Sequence, residues 1–416
     1  MMRNNIFGLL LAVSVWGLAP PAQGQIMCWN VENFFDTRDD SLTRDEPFTP
    51  KGEYRLTRRK FEAKRDLLAK CILAAGERTA SEPSVYTDGP EGTSRQPVSP
   101  QTYMRPPPII ALCEVENRYV INSLLKDTPL AKYDYGVVHR DSPDRRGIDV
   151  ALLYDRSRVR LSASDFLVVK EFATREVLYA QVTDSLWGSL HLFVNHWPSK
   201  RGGSRRSQKR RAVMVELLVP YIDSLQREDA SAKIILMGDF NDGPYSPSIE
   251  ELCSRCGLVN MAQVLLGTRL DAPTPKKRSS VPEKVPNTSL PGRNNIGTIR
   301  YKGKWELIDQ FLVSPSAASS GLEMEILAPP FLLEEDKAYW GLKPRRTNIG
   351  PRYNGGASDH LPILLHLGSP CPGHARSPKH SADSPTWAKT GIKNLSRCRN
   401  NYVPLKDNAC YGDAKY

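Results

Sequence analysis

Short apolar runs that end abruptly on an acid, an amide or an imidazole set the pattern of this chain. They occupy residues 25–31, 109–113, 148–154, 190–196, 234–237, 305–313 and 363–367. Runs of that length, bounded by turn residues, predict buried strands rather than helices. Residues 135–139, 158–171 and 175–183 read as further strands. A longer period appears between 56 and 75, where Leu56, Phe61, Leu67, Leu68, Cys71, Ile72 and Ala75 recur among charged residues and Gly76 follows. That is an amphipathic helix with a glycine stop, and a second helix is predicted from about 208 to 225. Two stretches break the pattern. Residues 79–108, ending in three prolines, and residues 265–300, with Lys276, Lys277 and Arg278, are rich in Pro, Ser, Gly and Thr and read as flexible inserts. Residues 368–416 form a polar, Cys-containing tail without a core pattern.

The ends of the apolar runs carry the candidate chemistry. Residues 234–237 stop at Gly238-Asp239-Phe240-Asn241. If the extended backbone persists one step further, Asp239 and Asn241 emerge on the same side and hold one water between a carboxylate and an amide. Both residue types also serve simply as turn caps. Asn30 ends the first run, either as a turn former or as a neutral ligand to a metal or phosphate. Glu114 ends the second, either as a helix-initiating acid or as a ligand to a hard cation such as Mg²⁺, which prefers one or two protein oxygens plus water and phosphate. His196 ends the run before Trp197-Pro198, either as a core histidine or as part of a site with the other three. Four such ends on one rim would be a strand-built active site completed by loops. Arg145 and Arg146 lie in a charged turn that either meets a phosphate or is merely solvated. Asp309, placed inside the run 305–313, needs a partner because an unpaired buried carboxylate is costly. His360, in Ser358-Asp359-His360-Leu361-Pro362, is a candidate: bonded to Asp309, its tautomer is fixed and its charged form favoured.

Composition narrows the setting. The 416 residues are 40% hydrophobic and 25% charged, enough for one large or two modest globular domains. Arg3, the 13-residue apolar-rich stretch 6–18 and small residues at Ala22 and Gly24 read as a secretory signal over residues 1–24, cleaved before Gln25. That stretch is short for a membrane span, so no stable membrane insertion is expected. Losing Arg3 lowers the formal charge from +11 to +10, so the mature chain stays basic and attracts polyanions. All eight cysteines lie after the expected cut. Cys28, Cys71 and Cys113 look buried, and the single Cys253/Cys256 pair lacks the partners of a zinc site.

Taken together, Trp29-Asn30, Leu112-Cys113-Glu114, Asn195-His196-Trp197-Pro198, Gly238-Asp239-Phe240-Asn241, Ile308-Asp309 and Ser358-Asp359-His360-Leu361-Pro362 resemble the endonuclease/exonuclease/phosphatase superfamily. One departure is Cys113, where many members have Gln. The resemblance runs over residues 25–367 and implies a four-layer α/β sandwich, two mixed sheets face to face with helices outside. It implies that Glu114, with Asn30 and Asp359, binds Mg²⁺ or Mn²⁺, and that Asp239 and Asn241 orient and activate water. His196 and His360 would stabilise the transition state, with Asp309 orienting His360. Asn30 and Arg146 are the expected substrate contacts. The expected protein is an exported, monomeric phosphodiesterase acting on nucleic acid, most plausibly a DNA endonuclease. Sphingomyelinase-like or inositol phosphatase-like enzymes share the motifs, and the former would offer exposed aromatic loop tips, for which Trp197 and Trp340 are candidates. A secreted binding protein that has lost catalysis is the non-enzyme reading.

Overall fold

A computed structural model describes residues 24–80, 102–199, 203–270 and 297–368. The chain divides into units Met1–Pro370 and Cys371–Tyr416, and the described residues all belong to the first. The expected signal segment up to residue 23 and the tail beyond Gly368, with Cys371, Cys398 and Cys410, lie outside the described residues.

Two six-stranded mixed sheets form the frame. The first is built from β1 (Gly24–Phe34), β2 (Ile109–Val115), β3 (Tyr135–His139) and β4 (Asp149–Asp155). The second takes β5 (Val159–Leu167), β6 (Val177–Asp184), β7 (Gly188–His196), β8 (Ile234–Asp239), the two-residue β9 (Val259–Asn260) and β10 (Asp309–Val313). The chain then returns to the first sheet as β11 (Glu323–Ile326) and β12 (Ile363–Leu367). The strand orders are β11-β12-β1-β2-β4-β3 and β9-β10-β8-β7-β6-β5. Each sheet has one parallel pair, β1 with β2 and β7 with β8, and all other neighbours are antiparallel.

Alternation along the strands builds the layers. Ile26, Cys28, Ile109, Ala111, Leu152, Leu178, Leu192, Ile235, Met237, Phe311, Ile363 and Leu365 share one buried cluster, which joins the two sheets. Met27, Trp29, Ile110 and Leu112 point the other way and pack with Phe61, Leu68 and Ile72 of helix α1 (Arg58–Ala74) and with Val120 and Leu124 of α2 (Arg118–Lys126). Thr57 caps α1 by accepting from Lys60 N, and Asn117 caps α2 by accepting from Tyr119 N and Val120 N. Helices α3 (Ser204–Glu228) and α4 (Pro247–Cys256) pack on each other and complete the four-layer α/β sandwich. No helix among the described residues is long and apolar enough to cross a membrane.

Several expectations need correction. The stretch 79–108 does not lack structure at its ends: Glu77–Ala80 pairs with Thr102–Arg105, and Pro106, Pro107 and Pro108 are buried. The stretch 265–300 begins inside helix α5 (Met261–Leu270) and ends in a hairpin of Ile299–Tyr301 with Lys304–Glu306. The run 305–313 is therefore not one strand. It breaks at Leu307-Ile308, and Asp309 opens β10 rather than lying within it. Trp197 is fully buried, with its indole nitrogen on Asn195 Oδ1, so it is no membrane-facing tip; Trp340 is exposed. Cys28, Cys71 and Cys113 are buried, as expected, and among the described residues none of them, nor Cys253 or Cys256, forms a disulfide.

His191, across β6 and β7, lies 2.9 Å from the Tyr179 hydroxyl. Burial pushes its pKa down, with Asp229 working weakly against that. The unfolded chain, with His near 6.5, therefore binds the proton first, and stability present above that pH is lost as pH falls. His191→Gln should remove up to about 1.4 kcal/mol per pH unit of the acid-side slope of unfolding free energy, measured by urea titration across pH 4–7. An unchanged slope would contradict it.

Candidate active site at the shared sheet edge

Strand direction explains why the polar ends meet. In a parallel pair both C-terminal ends lie at the same edge, and an antiparallel neighbour begins there. In the second sheet Asp239 is therefore in register with both His196 and Asp309. In the first sheet Asn30 is in register with Cys113, next to Glu114, and the segment entering β12 brings Ser358, Asp359 and His360 to that edge. The sheets are tied there by Cys113 Sγ on Asn195 O, at 3.3 Å, and by Asn30 Nδ2 donating to Asp239 Oδ2 at 3.0 Å.

Asp239 is the hub. Beyond Asn30, its Oδ2 lies 3.7 Å from His196 Nε2, 3.9 Å from His360 Nε2 and 3.3 Å from Asn241 Nδ2. The Asp239–Asn241 convergence arises differently from the extended-backbone expectation. Asn241 turns left-handed, at φ 52°, and its backbone N–H is held by Asp239 Oδ1 at 2.8 Å, while its amide also donates to Trp197 O at 3.0 Å. Gly238 has φ 148° and lies so close to β7 that a Cβ would meet Asn195 O at 1.9 Å, so only glycine fits before the aspartate. Glu114 is also left-handed, at φ 66°, on a register shift of β2. Such outliers cluster where a side chain must be aimed rather than merely packed. Glu114 Oε2 accepts from Asn33 N at 2.9 Å, and Oε1 lies 3.7 Å from His196 Nε2.

The two histidines are driven in opposite directions. Burial works against charge on His360, but Asp309, bonded to Nδ1 at 2.8 Å, together with Asp239 and Asp359, raises it well above the ordinary value. Thr298 donates to the same Asp309 oxygen. His196 is pushed well below its ordinary value by burial, then by Arg175, Arg146 and His360. Among the described residues its Nδ1 is buried without a hydrogen-bond partner. Asp239 is raised to about 7, chiefly by burial, with His360 opposing and Asp309 reinforcing.

Not every expected residue stands as the sequence placed it. Asp359 is bonded to Arg346, which leaves Oδ1, 3.9 Å from His360 Nε2. Asn30 Oδ1 already accepts from Glu32 N at 3.0 Å. Arg146 is half-exposed and bonded to Asp144, at 2.9 Å through its backbone and 3.4 Å through Nε. Sequence reading passed over Glu32, Lys64, Arg346 and Arg175. Lys64, buried on α1, donates to Glu32 O and, at 2.7 Å, to Thr347 Oγ1. Its spacing from Phe61 and Leu68 put it on the apolar stripe, which was the available signal. Arg175 spans Asp144 Oδ2, at 2.9 Å, and Trp197 O, at 2.8 Å, behind His196.

Carboxylates from Glu32, Glu114, Asp239, Asp309 and Asp359 crowd this edge, and hard oxygen donors with one free Glu114 oxygen fit Mg²⁺ or Mn²⁺. Asp239, Asp309 and His360 also offer atoms within 4.8 Å of one another.

The fold and this constellation place the protein among metal-type phosphoester hydrolases, and comparison makes that specific. The endonuclease/exonuclease/phosphatase family profile matches residues 25–85 and 98–369, so the chain belongs to that family. No curated protein sequence matches it. Similar solved structures include the human nocturnin catalytic domain with bound sulfate, at 16% identity, covering 83% of this chain and 94% of that one, TM-score 0.46. An endonuclease/exonuclease/phosphatase family protein from Bacteroides thetaiotaomicron is 14% identical over 83% of this chain and 98% of its own, TM-score 0.47. Truncated TDP2 from Caenorhabditis elegans is 12% identical over 84% and 99%, TM-score 0.47.

Asp309→Asn removes the carboxylate that holds charge on His360. The His360 pKa should fall, read as a lower titration midpoint of its imidazole Cε1–H resonance against pH. A titration midpoint that does not move would show that Asp309 does not set the ring's charge.

Proposed function

We propose that this chain is a divalent-metal-dependent phosphodiesterase that cleaves nucleic acid, most plausibly an exported DNA endonuclease. The observation that carries the substrate class is a basic pocket of about 360 Å³ lined by Asp144, Arg145, Phe172, Ala173, Arg206 and Arg210. It adjoins the site through Asp144, which holds both Arg146 and Arg175. Arg210 lies over the Phe172 ring at 4.8 Å. Arginines around a half-exposed aromatic ring suit a sugar-phosphate chain with a base stacked beside it, contacts that carry no sequence readout. The formal charge, +10 once Arg3 is lost with the signal, supports the same reading. The family to which the chain belongs supports hydrolysis at phosphorus.

In this reading Glu114, with Asn30 and the remaining oxygen of Asp359, holds Mg²⁺ or Mn²⁺, and Asn30 also sets the orientation of Asp239 and contacts substrate. The ion, when bound, supplies charge neutralisation at the phosphate and leaving oxygen. Asp239, raised to about 7, accepts the proton of the attacking water, and Asn241 orients that water. Imidazolium His360, steadied by Asp309, donates to the oxygens on which charge grows, and His196 contributes from the opposite side. Arg146 meets a non-bridging phosphate oxygen. Residues 1–24 act as the export signal.

The lipid reading has one feature in its favour: Tyr339 and Trp340 are exposed side by side, Trp340 to 81%. Purified protein offered supercoiled plasmid, RNA, sphingomyelin and an inositol polyphosphate, with Mg²⁺ or with EDTA, distinguishes the readings. The expected result is plasmid nicking that EDTA abolishes, with kcat lowered about 10²–10⁴-fold in Asp239→Asn. Arg206→Ala with Arg210→Ala should raise KM for plasmid. Cleavage of the lipid or inositol phosphate alone would overturn the substrate, and near wild-type rates in Asp239→Asn would overturn the site.

A further inference from the structure

The turn between β3 and β4 gathers a second set of ligating side chains, separate from the strand-end site. His139 closes β3 and Asp149 opens β4, and because His139 pairs with Ala151 the two stand together at the mouth of the turn. Asp141 lies two residues into that turn. His139 Nε2 is 3.2 Å from Asp149 Oδ2 and 4.0 Å from Asp141 Oδ1. One atom from each of the three falls within 4.8 Å of the others.

The burial is uneven in a useful way. The imidazole side chain is 2% exposed and that of Asp149 3%, whereas Asp141 is 83% exposed, so the group opens to solvent on one side. Among the described residues His139 Nε2 is buried without a well-aligned hydrogen-bond partner, and Asp149 Oδ2 faces it at ion-pair distance. Asp149 Oδ1 is occupied by Ser142 N at 2.9 Å, which leaves Oδ2 turned toward the ring nitrogen. The neighbouring cation, Arg140, is paired with Glu176 at 2.6 Å and does not neutralise this pair of aspartates. A buried ring nitrogen at ion-pair distance from one carboxylate and facing a second, with no well-aligned hydrogen bond to either, is an arrangement that a cation shared by all three groups would satisfy.

We propose that His139, Asp141 and Asp149 form a binding site for a divalent cation of the zinc class, with water completing its coordination. Zinc holds imidazole nitrogen and carboxylate oxygen at about 2.0–2.2 Å, so neighbouring ligands of a tetrahedral ion lie roughly 3.4 Å apart. The observed 3.2 and 4.0 Å separations fall on either side of that spacing. Two carboxylates match the ion's charge, and a nitrogen ligand favours zinc over Mg²⁺, which prefers oxygen throughout. The ion joins the two ends of the turn. Between those ends lie Asp144, which pairs with Arg175 and lines the basic pocket, Arg145, which lines it too, and Arg146, bonded to Asp144. Its work is therefore to hold the phosphate-contacting turn in place, a positioning role that takes no part in the hydrolytic step.

The test is equilibrium dialysis of the full-length protein against Zn²⁺, comparing wild type with Asp141→Asn and with Glu114→Gln. Asp141 is exposed, so its amide variant keeps the fold. Asp141→Asn is expected to bind one zinc equivalent fewer than wild type, or to bind it about tenfold more weakly or worse, while Glu114→Gln retains that equivalent. Equal zinc stoichiometry and affinity in wild type and Asp141→Asn would overturn the proposal, as would a wild-type protein whose zinc binding is lost entirely in Glu114→Gln. Neither outcome depends on which phosphoester the enzyme cleaves.

Discussion

The site depends on a constraint of strand direction: each sheet contains a single parallel pair, flanked by antiparallel strands. Parallel neighbours finish at the same edge, so Asn30 falls beside Glu114 and His196 beside Asp239. Antiparallel neighbours start where those finish, so Asp309 and the segment carrying His360 arrive at the same edge. Stacking the two sheets face to face then closes the gap between the sets, and the Asn30–Asp239 bond crosses it. Residues 331 positions apart are joined in this way when the Trp29 indole donates to His360 O. Asn30, Glu114, His196, Asp239 and Asp309 sit on strands whose other faces are packed, and Asn241, Asp359 and His360 stand on the segments that adjoin them.

That arrangement concentrates negative charge where water is scarce. Burial raises Asp239, and both burial and Asp359 raise Glu32, while His360 is held charged by Asp309 and Arg346 is committed to Asp359. Burial also lowers Lys64 despite its acidic neighbours. Left to itself, such a cluster opposes folding, since like charges in low dielectric are costly. A divalent cation relieves the imbalance, which links the electrostatics of the fold to the chemistry proposed for it. The left-handed backbone at Glu32, Asn33, Glu114 and Asn241 lies at the same edge.

Much of this was legible in the sequence, for a physical reason. A buried strand must be apolar, so a polar residue at its end stands out, and Asn30, Glu114, His196 and Asp239 were found that way. The need of a buried carboxylate for a partner likewise pointed from Asp309 to His360, and the structure joins them at 2.8 Å. What was hidden were contacts between elements distant in the chain. Lys64 was passed over among the charged residues of its helix, because the groups that accept from it, Glu32 O and Thr347 Oγ1, lie far away in the chain. The break at Leu307-Ile308 was invisible because both residues are apolar and buried, so hydrophobicity ran through the point where hydrogen bonding changes partner. Trp197, weighed as a candidate tip, is covered by a residue distant in the chain: Phe240, just beyond the end of β8, packs against its ring at 5.0 Å.

The account stands or falls on whether this edge holds a cation. Crystals soaked in Mn²⁺ and measured at the manganese absorption edge give the most direct answer. The account predicts an anomalous peak within coordination distance of Glu114 Oε1, on the same edge as Asp239 and His360. Density that is featureless there while manganese is bound elsewhere, in protein that still hydrolyses its substrate, would contradict it.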